Sequence, residues 1–170
     1  SLWQQVASQL SCYVSYPRLI GETGGKNFMF VHPTASAIEV AVNAYRGAFE
    51  YQGQKCSAVS RMYVPESLWP AIKSELTRIS NEAKMGDVTD PTNFVNAVID
   101  EKSFDNIMSY ITYAKNSDEA VIIAGGNGDK SVGYFVEPSI ILATNPRFCT
   151  MEEEIFGPVL TIYTYKDEHL

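Results

Sequence analysis

The sequence predicts an α/β layered domain with a largely parallel sheet. Three observations carry that expectation. Short apolar runs alternate with longer stretches whose apolar residues recur at helical spacing. The chain has 170 residues, enough for one domain with a core of its own. Hydrophobic residues make up 45% and charged residues 19%, an ordinary globular balance.

Leu2, Val6 and Leu10 repeat at helical spacing, and Ser15-Tyr16-Pro17 ends that pattern. Arg18-Leu19-Ile20 reads as a short strand. Phe28-Met29-Phe30-Val31 reads as a buried strand between Gly24-Gly25 and Pro33. Ser36-Ala37-Ile38-Glu39 has the form of a capping box, so a helix follows with Ile38, Ala41, Val42, Tyr45 and Phe49 on one face. Gly53 turns the chain. Arg61–Val64 is a strand, and Ser67–Lys84 is a helix carrying Leu68, Ile72, Leu76 and Ile79. Asp87–Asn96 is a polar loop. Asp100 caps a third helix with Phe104, Ile107, Met108 and Ile111. Ala120–Ala124, Phe135–Val136, Ile140–Ala143 and Val159–Tyr165 complete the strands.

Composition excludes some functions. A net charge of −7 without a basic run argues against nucleic acid, whose binding needs clustered Lys and Arg. No apolar stretch approaches the length that spans a bilayer. Cys12, Cys56 and Cys149 are odd in number and widely spaced, which suggests a reducing compartment and no metal site. His32 and His169 have no neighbouring nucleophile in sequence. Gly125-Gly126-Asn127-Gly128-Asp129 lacks the G-K-[ST] of a phosphate loop and reads as a turn.

Tyr51-Gln52-Gly53-Gln54-Lys55-Cys56-Ser57-Ala58 carries the chemistry. A thiol attacks as thiolate, which a nearby cation or a helix N-terminus favours. Lys55 is a candidate cation, and Ser57-Ala58-Val59-Ser60 a candidate helical turn with its N–H groups toward the sulfur. The alternative is a small packing cysteine. Two further segments bear on the choice: Gly21-Glu22-Thr23-Gly24-Gly25-Lys26-Asn27-Phe28 and Met151-Glu152-Glu153-Glu154-Ile155-Phe156-Gly157-Pro158-Val159.

Together the three segments resemble the E-x-G-G-K, G-Q-x-C and E-E-x-F-G-P-V motifs of the aldehyde dehydrogenase superfamily. Their order and spacing match: Cys56 lies 34 positions after Glu22 (56 − 22) and Glu154 lies 98 after Cys56 (154 − 56). The resemblance covers essentially the whole chain. Phe49–Ala58, the Lys26-Asn27-Phe28 ending and Val132–Pro138 are similar to the glutamate-semialdehyde (pyrroline-5-carboxylate) dehydrogenase branch. The resemblance implies an aldehyde dehydrogenase-like catalytic domain, three-layered, and a chain that is a piece of a longer protein. Residues 1–21 would be the tail of an NAD-binding domain, and residues 22–170 an incomplete catalytic domain.

Roles follow from the same resemblance. Cys56 is the implied nucleophile, with its own backbone N–H as one oxyanion donor; a second donor, an asparagine, would lie upstream. Glu22 is the implied base for thioester hydrolysis, a task that usually needs a carboxylate raised by burial. Glu154 would bond the nicotinamide ribose of NAD, Phe156 would pack near the nicotinamide, and Thr23 would offer its carbonyl. Ser57 would hold the substrate's carboxylate. The bland alternatives are a solvated Glu22 beside a turn, a solvated Glu154 and a helix-start serine at Ser57. Glu152 and Glu153 read as solvated acids, Cys12 and Cys149 as packing residues, and Lys26 and Asn27 as structural.

The expected partner is a small aldehyde, oxidised with NAD and without metal, in a homo-oligomer. The branch is mitochondrial in eukaryotes and cytoplasmic in bacteria. A dehydrogenase for another aldehyde, and an isolated piece with only a structural role, are the rival readings.

Overall fold

The computed structural model describes residues 1–169; Leu170 and the side chain of His169 lie outside the described residues. Helix α1 (Leu2–Ser8) begins the chain, capped reciprocally by Ser1 and Gln4. Its apolar spacing finds no partner, since no residue before Val31 is buried. Arg18–Ile20 is not a strand. Cys12 is exposed rather than packed, with its thiol directed at Gln9 Oε1 (3.3 Å).

From there the expected alternation appears. It runs β1 (Phe28–Phe30), α2 (Ala37–Phe49), β2 (Arg61–Pro65), α3 (Trp69–Glu82) and α4 (Glu101–Lys115). Then come β3 (Ala120–Ala124), β4 (Gly128–Asp129), β5 (Phe135–Val136), β6 (Ser139–Ala143), α5 (Cys149–Glu152) and β7 (Val159–Tyr165). Five strands form one sheet in the order β1-β2-β7-β6-β3. The first four are parallel, and β3 joins the edge antiparallel to β6. β4 and β5 make a separate small ribbon; β5 is the strand expected at 135–136, whereas β4 falls in the stretch 125–129 expected to be only a turn.

The sheet is covered on both faces because successive strand residues point opposite ways. Ile140, Leu160 and Ile162 join Ala44, Phe49, Ile72 and Leu76 in a core beneath α2 and α3. Ile141, Ala143 and Val159 join Ile107, Ile111, Phe148 and Met151 beneath α4 and α5. Each fully buried side chain of this size contributes about 1.5–3 kcal/mol. These are the three layers.

Helix starts follow local chemistry. Asp100 accepts the Ser103 N–H at 2.7 Å, as a cap should. Ser36 accepts the Glu39 N–H at 3.5 Å, so half of the expected box forms. The buried face of α2 is Ala41, Ala44, Tyr45, Ala48 and Phe49, whereas Ile38 and Val42 are exposed.

One feature positions everything that follows. The segment 22–27 runs into β1, 53–58 precedes β2, and 154–158 runs into β7. These strands are adjacent and in register, Phe28 beside Arg61 and Arg61 beside Thr161. The three candidate segments therefore lie side by side at the N-terminal ends of parallel strands. Ligand crevices of open α/β sheets more often lie at the C-terminal ends.

Candidate active site

Cys56 is exposed, at the crest of a turn closed by the Ala58 N–H to the Lys55 carbonyl (3.1 Å). No helical turn follows it; residues 58–60 run straight toward β2. Lys55 Nζ is 2.7 Å from Glu50 Oε2, so its charge is balanced there. That pair holds the Glu50 carboxyl below its ordinary range. The positive surroundings expected of the thiol from Lys55 and a helix start are thus not what the fold provides.

The turn is instead built by backbone. Tyr51, Gln52 and Gly53 all adopt left-handed φ, at 55°, 58° and 65°. The first two lack glycine's freedom, and each such residue costs on the order of 1–3 kcal/mol. Side chains hold them in place. The buried Gln52 amide lies against Asn96, its oxygen best turned to the Asn96 N–H at 2.8 Å. Gln54 Oε1 accepts the Ile99 N–H at 3.0 Å. A Cβ at Gly53 would sit 2.3 Å from the Gly157 carbonyl oxygen, so only glycine lets these two segments abut.

The third segment is joined to the first. Gly25 N–H donates to Glu154 Oε1 at 2.9 Å. A Cβ at Gly24 would lie 1.9 Å from Glu154 Oε2, so the carboxylate occupies the space glycine leaves. The first segment is joined to the second by Asn27, whose side-chain amide donates to the Cys56 carbonyl. Ser60 adds two bonds to the Asn27 carbonyl, N–H at 3.3 Å and Oγ at 3.1 Å.

Gly25, Gly53, Lys55, Glu154, Phe156 and Gly157 consequently line one packed seam. Its free space is about 10 Å³, room for a single water at most. A larger cleft of about 620 Å³ opens on the far side of the loop, between Tyr51, Gln54, Asn96, Ile99, Val132 and Phe156. Phe156 has φ 57° and projects half-exposed beside both.

Not every expected residue is drawn in. The side chains of Glu22, Thr23 and Ser57 are exposed and bond to nothing among the described residues. The burial expected to prepare Glu22 as a base is not supplied by the described residues. The Cys56 N–H likewise donates to no described acceptor.

Three residues gain weight that the sequence did not give them. Asn27 is a direct strut beneath Cys56. Glu153, read as solvated, accepts the Tyr110 hydroxyl at 2.5 Å, and that bond raises the Tyr110 pKa. Lys26 is half-buried, but its Nζ is shut from solvent and has no partner among the described residues. Burial, then the neighbouring Arg61, pushes its pKa down to about 8, against the opposing pull of Glu154, Cys149 and Glu153. No periodicity marks any of the three; only the G-G-K-N wording of the motif could have flagged Lys26 and Asn27. No group of three or more His, Cys, Asp or Glu that could hold a metal occurs among the described residues.

The aldehyde dehydrogenase family model matches residues 3–169. The chain belongs to the aldehyde dehydrogenase family. Within that family it is 59% identical over 155 residues to mitochondrial delta-1-pyrroline-5-carboxylate dehydrogenase of Dictyostelium discoideum, covering 91% of this chain and 28% of that protein. It is 51% identical over 168 residues to the human mitochondrial enzyme of the same name, covering 98% and 30%. The chain therefore spans less than a third of the curated relatives it matches. Among solved aldehyde dehydrogenase folds, delta-pyrroline-5-carboxylate dehydrogenase of Mycobacterium tuberculosis superposes with a TM-score of 0.89 at 42% identity, covering 99% of this chain and 31% of that one. That protein has also been solved bound with NAD, with the same TM-score and identity.

Proposed function

We propose that the chain is the cysteine-bearing part of an NAD-dependent glutamate γ-semialdehyde dehydrogenase, which makes glutamate in proline catabolism. The observation that carries this reading is the convergence of the three segments, with Glu154 and the Cys56 turn both held by Gly25–Asn27. The names of the relatives supply the substrate. Residues 1–21 are read as the tail of the cofactor domain and 22–170 as catalytic domain. Gly25 and Asn27, just after that boundary, bond to Glu154 and to the Cys56 carbonyl, in keeping with it. The longer protein is read as a homo-oligomer, mitochondrial in a eukaryotic source and cytoplasmic in a bacterial one.

The residues present fit NAD. The Glu154 carboxylate, fixed by Gly24 and Gly25, keeps Oε2 free of protein donors and is suited to ribose hydroxyls. Phe156 is half-exposed, and Thr23 is exposed beside Gly24. When bound, NAD accepts the hydride released at the substrate carbon.

The protein's own residues do the remainder. The Cys56 thiolate adds to the aldehyde carbon, forming a C–S bond and an oxyanion. The Cys56 N–H, without another acceptor, is placed to receive that oxyanion. Loss of hydride leaves a thioester on Cys56. Glu22 takes a proton from water, which attacks the thioester carbon; the acid departs and the thiol is restored. Ser57, exposed next to the nucleophile, donates its hydroxyl to the substrate's carboxylate.

Replacement of Cys56 in the full-length protein tests the core of this reading. Cys56→Ala is expected to abolish aldehyde oxidation, while Cys12→Ala and Cys149→Ala keep most of it. Near-normal turnover by Cys56→Ala would end it.

A further inference from the structure

Lys26 carries a charge that nothing described so far uses. It follows Gly24 and Gly25, whose backbone cradles Glu154. Its side chain turns inward and its ammonium is shut from solvent. It forms none of the ion pairs within 4.0 Å among the described residues. The charges that act on it are those of Arg61 from β2, Cys149 from α5, and Glu153 and Glu154 from the segment after α5. Glu153 is already bonded to Tyr110. Arg61 donates to the Met151 carbonyl at 3.2 Å and repels Lys26.

A buried amine with no bond is costly, and a methionine would fill the space without that cost. The benefit has to be electrostatic. Glu154 receives one described hydrogen bond, from Gly25, and otherwise lies on bare glycine backbone. The charge of the Lys26 ammonium, next in sequence to that cradle, also acts on this carboxylate.

We propose that Lys26 is a positioning residue, whose buried ammonium holds the Glu154 carboxylate against the Gly24–Gly25 backbone and so keeps it set for the cofactor's ribose hydroxyls. The proposal rests on the reading of Glu154 as a ribose ligand. It makes cofactor affinity depend on the Lys26 proton, which is lost as pH rises through about 8. Arg61 stays charged throughout. The Cys149 thiol, pushed up by burial and then by Glu153, is the other group acting on Lys26 that titrates on the alkaline side.

The test measures NAD dissociation constants by calorimetry on the full-length protein across that pH. The wild type is expected to lose affinity about fivefold or more as Lys26 deprotonates, a typical coupling between two groups. Lys26→Arg should keep the tight value throughout, and Lys26→Met should bind weakly at every pH with no step. Cys149→Ala should keep the wild-type step. Wild-type affinity in Lys26→Met, or a wild-type step in Lys26→Arg, overturns the proposal. A step lost in Cys149→Ala also overturns it, because the thiol would then be its source. Should Lys26→Met not fold, the comparison of Lys26→Arg with wild type decides alone. A wild type that binds no NAD at any pH instead removes the cofactor reading itself.

Discussion

At the scale of single residues, Cys56, Ser57 and Glu22 share one trait: each is exposed and free of side-chain partners among the described residues. The roles proposed for them therefore depend on what approaches them. Glu22→Gln should slow release of the acid more than formation of the thioester, by about a hundredfold to ten-thousandfold. Rapid mixing would then show a burst of NADH followed by slow turnover; an unchanged steady state would remove Glu22 from the mechanism. Ser57→Ala should raise KM for glutamate semialdehyde and spare simple aliphatic aldehydes. One lost bond to a carboxylate is worth about 1.5–3 kcal/mol, or about ten- to a hundredfold in kcat/KM. Equal losses on propanal would point to disturbed packing around Cys56 instead.

At the scale of elements, the loop before β2 is the critical piece. Gly53→Ala would force a Cβ to within 2.3 Å of Gly157 O and 2.8 Å of Ala48 O, at a φ of 65°. Destabilisation of at least about 1–3 kcal/mol is expected, read from urea denaturation. A change within a few tenths of that variant's wild type would mean the two loops part easily. This loop also shows where sequence reading stops. The strands 28–31, 61–64 and 159–165 and the helices after Ser36 and Asp100 are legible, because apolar period and caps act locally. The left-handed run at Tyr51-Gln52 is not, because its partners Asn96 and Ile99 are more than forty positions away. A helix after Cys56 was a fair local expectation. The cross-links from Asn27 and Ser60 draw 58–60 out straight instead.

At the scale of the whole molecule, two buried groups shape the response to alkali. Lys26 has a folded pKa of about 8, below its ordinary 10.5. Between those values the unfolded chain holds a proton that the folded chain has released, so stability rises with pH over that window. Tyr45 is shifted the other way, from 10.0 to about 12, chiefly by burial. Its contribution is present below about pH 10 and lost as pH climbs through 12. Chemical denaturation as a function of pH should show the rise, and Lys26→Met should flatten it. A profile that is level in both proteins would mean that the amine is solvated. The layered architecture is readable from alternation alone, and so are the strands 120–124 and 135–136, but the antiparallel direction of β3 and the pairing of β5 with β4 are not. Pairing direction depends on which neighbour a strand meets, not on its own composition.

The placement of all three segments at the starts of β1, β2 and β7 leaves the opposite rim of the sheet with no assigned task. There the chain passes through Pro65–Leu68 and Lys166–Asp167, where Ser67 and Asp167 clasp each other. Strand β2 has five residues, so about 17 Å of sheet separates that rim from the thiol. Chemistry and workbench are thus at opposite ends of the same planks. A reporter dye, a purification handle or a tether to a surface could be mounted at Lys166, outside the clasp, on the rim opposite the proposed site at Cys56.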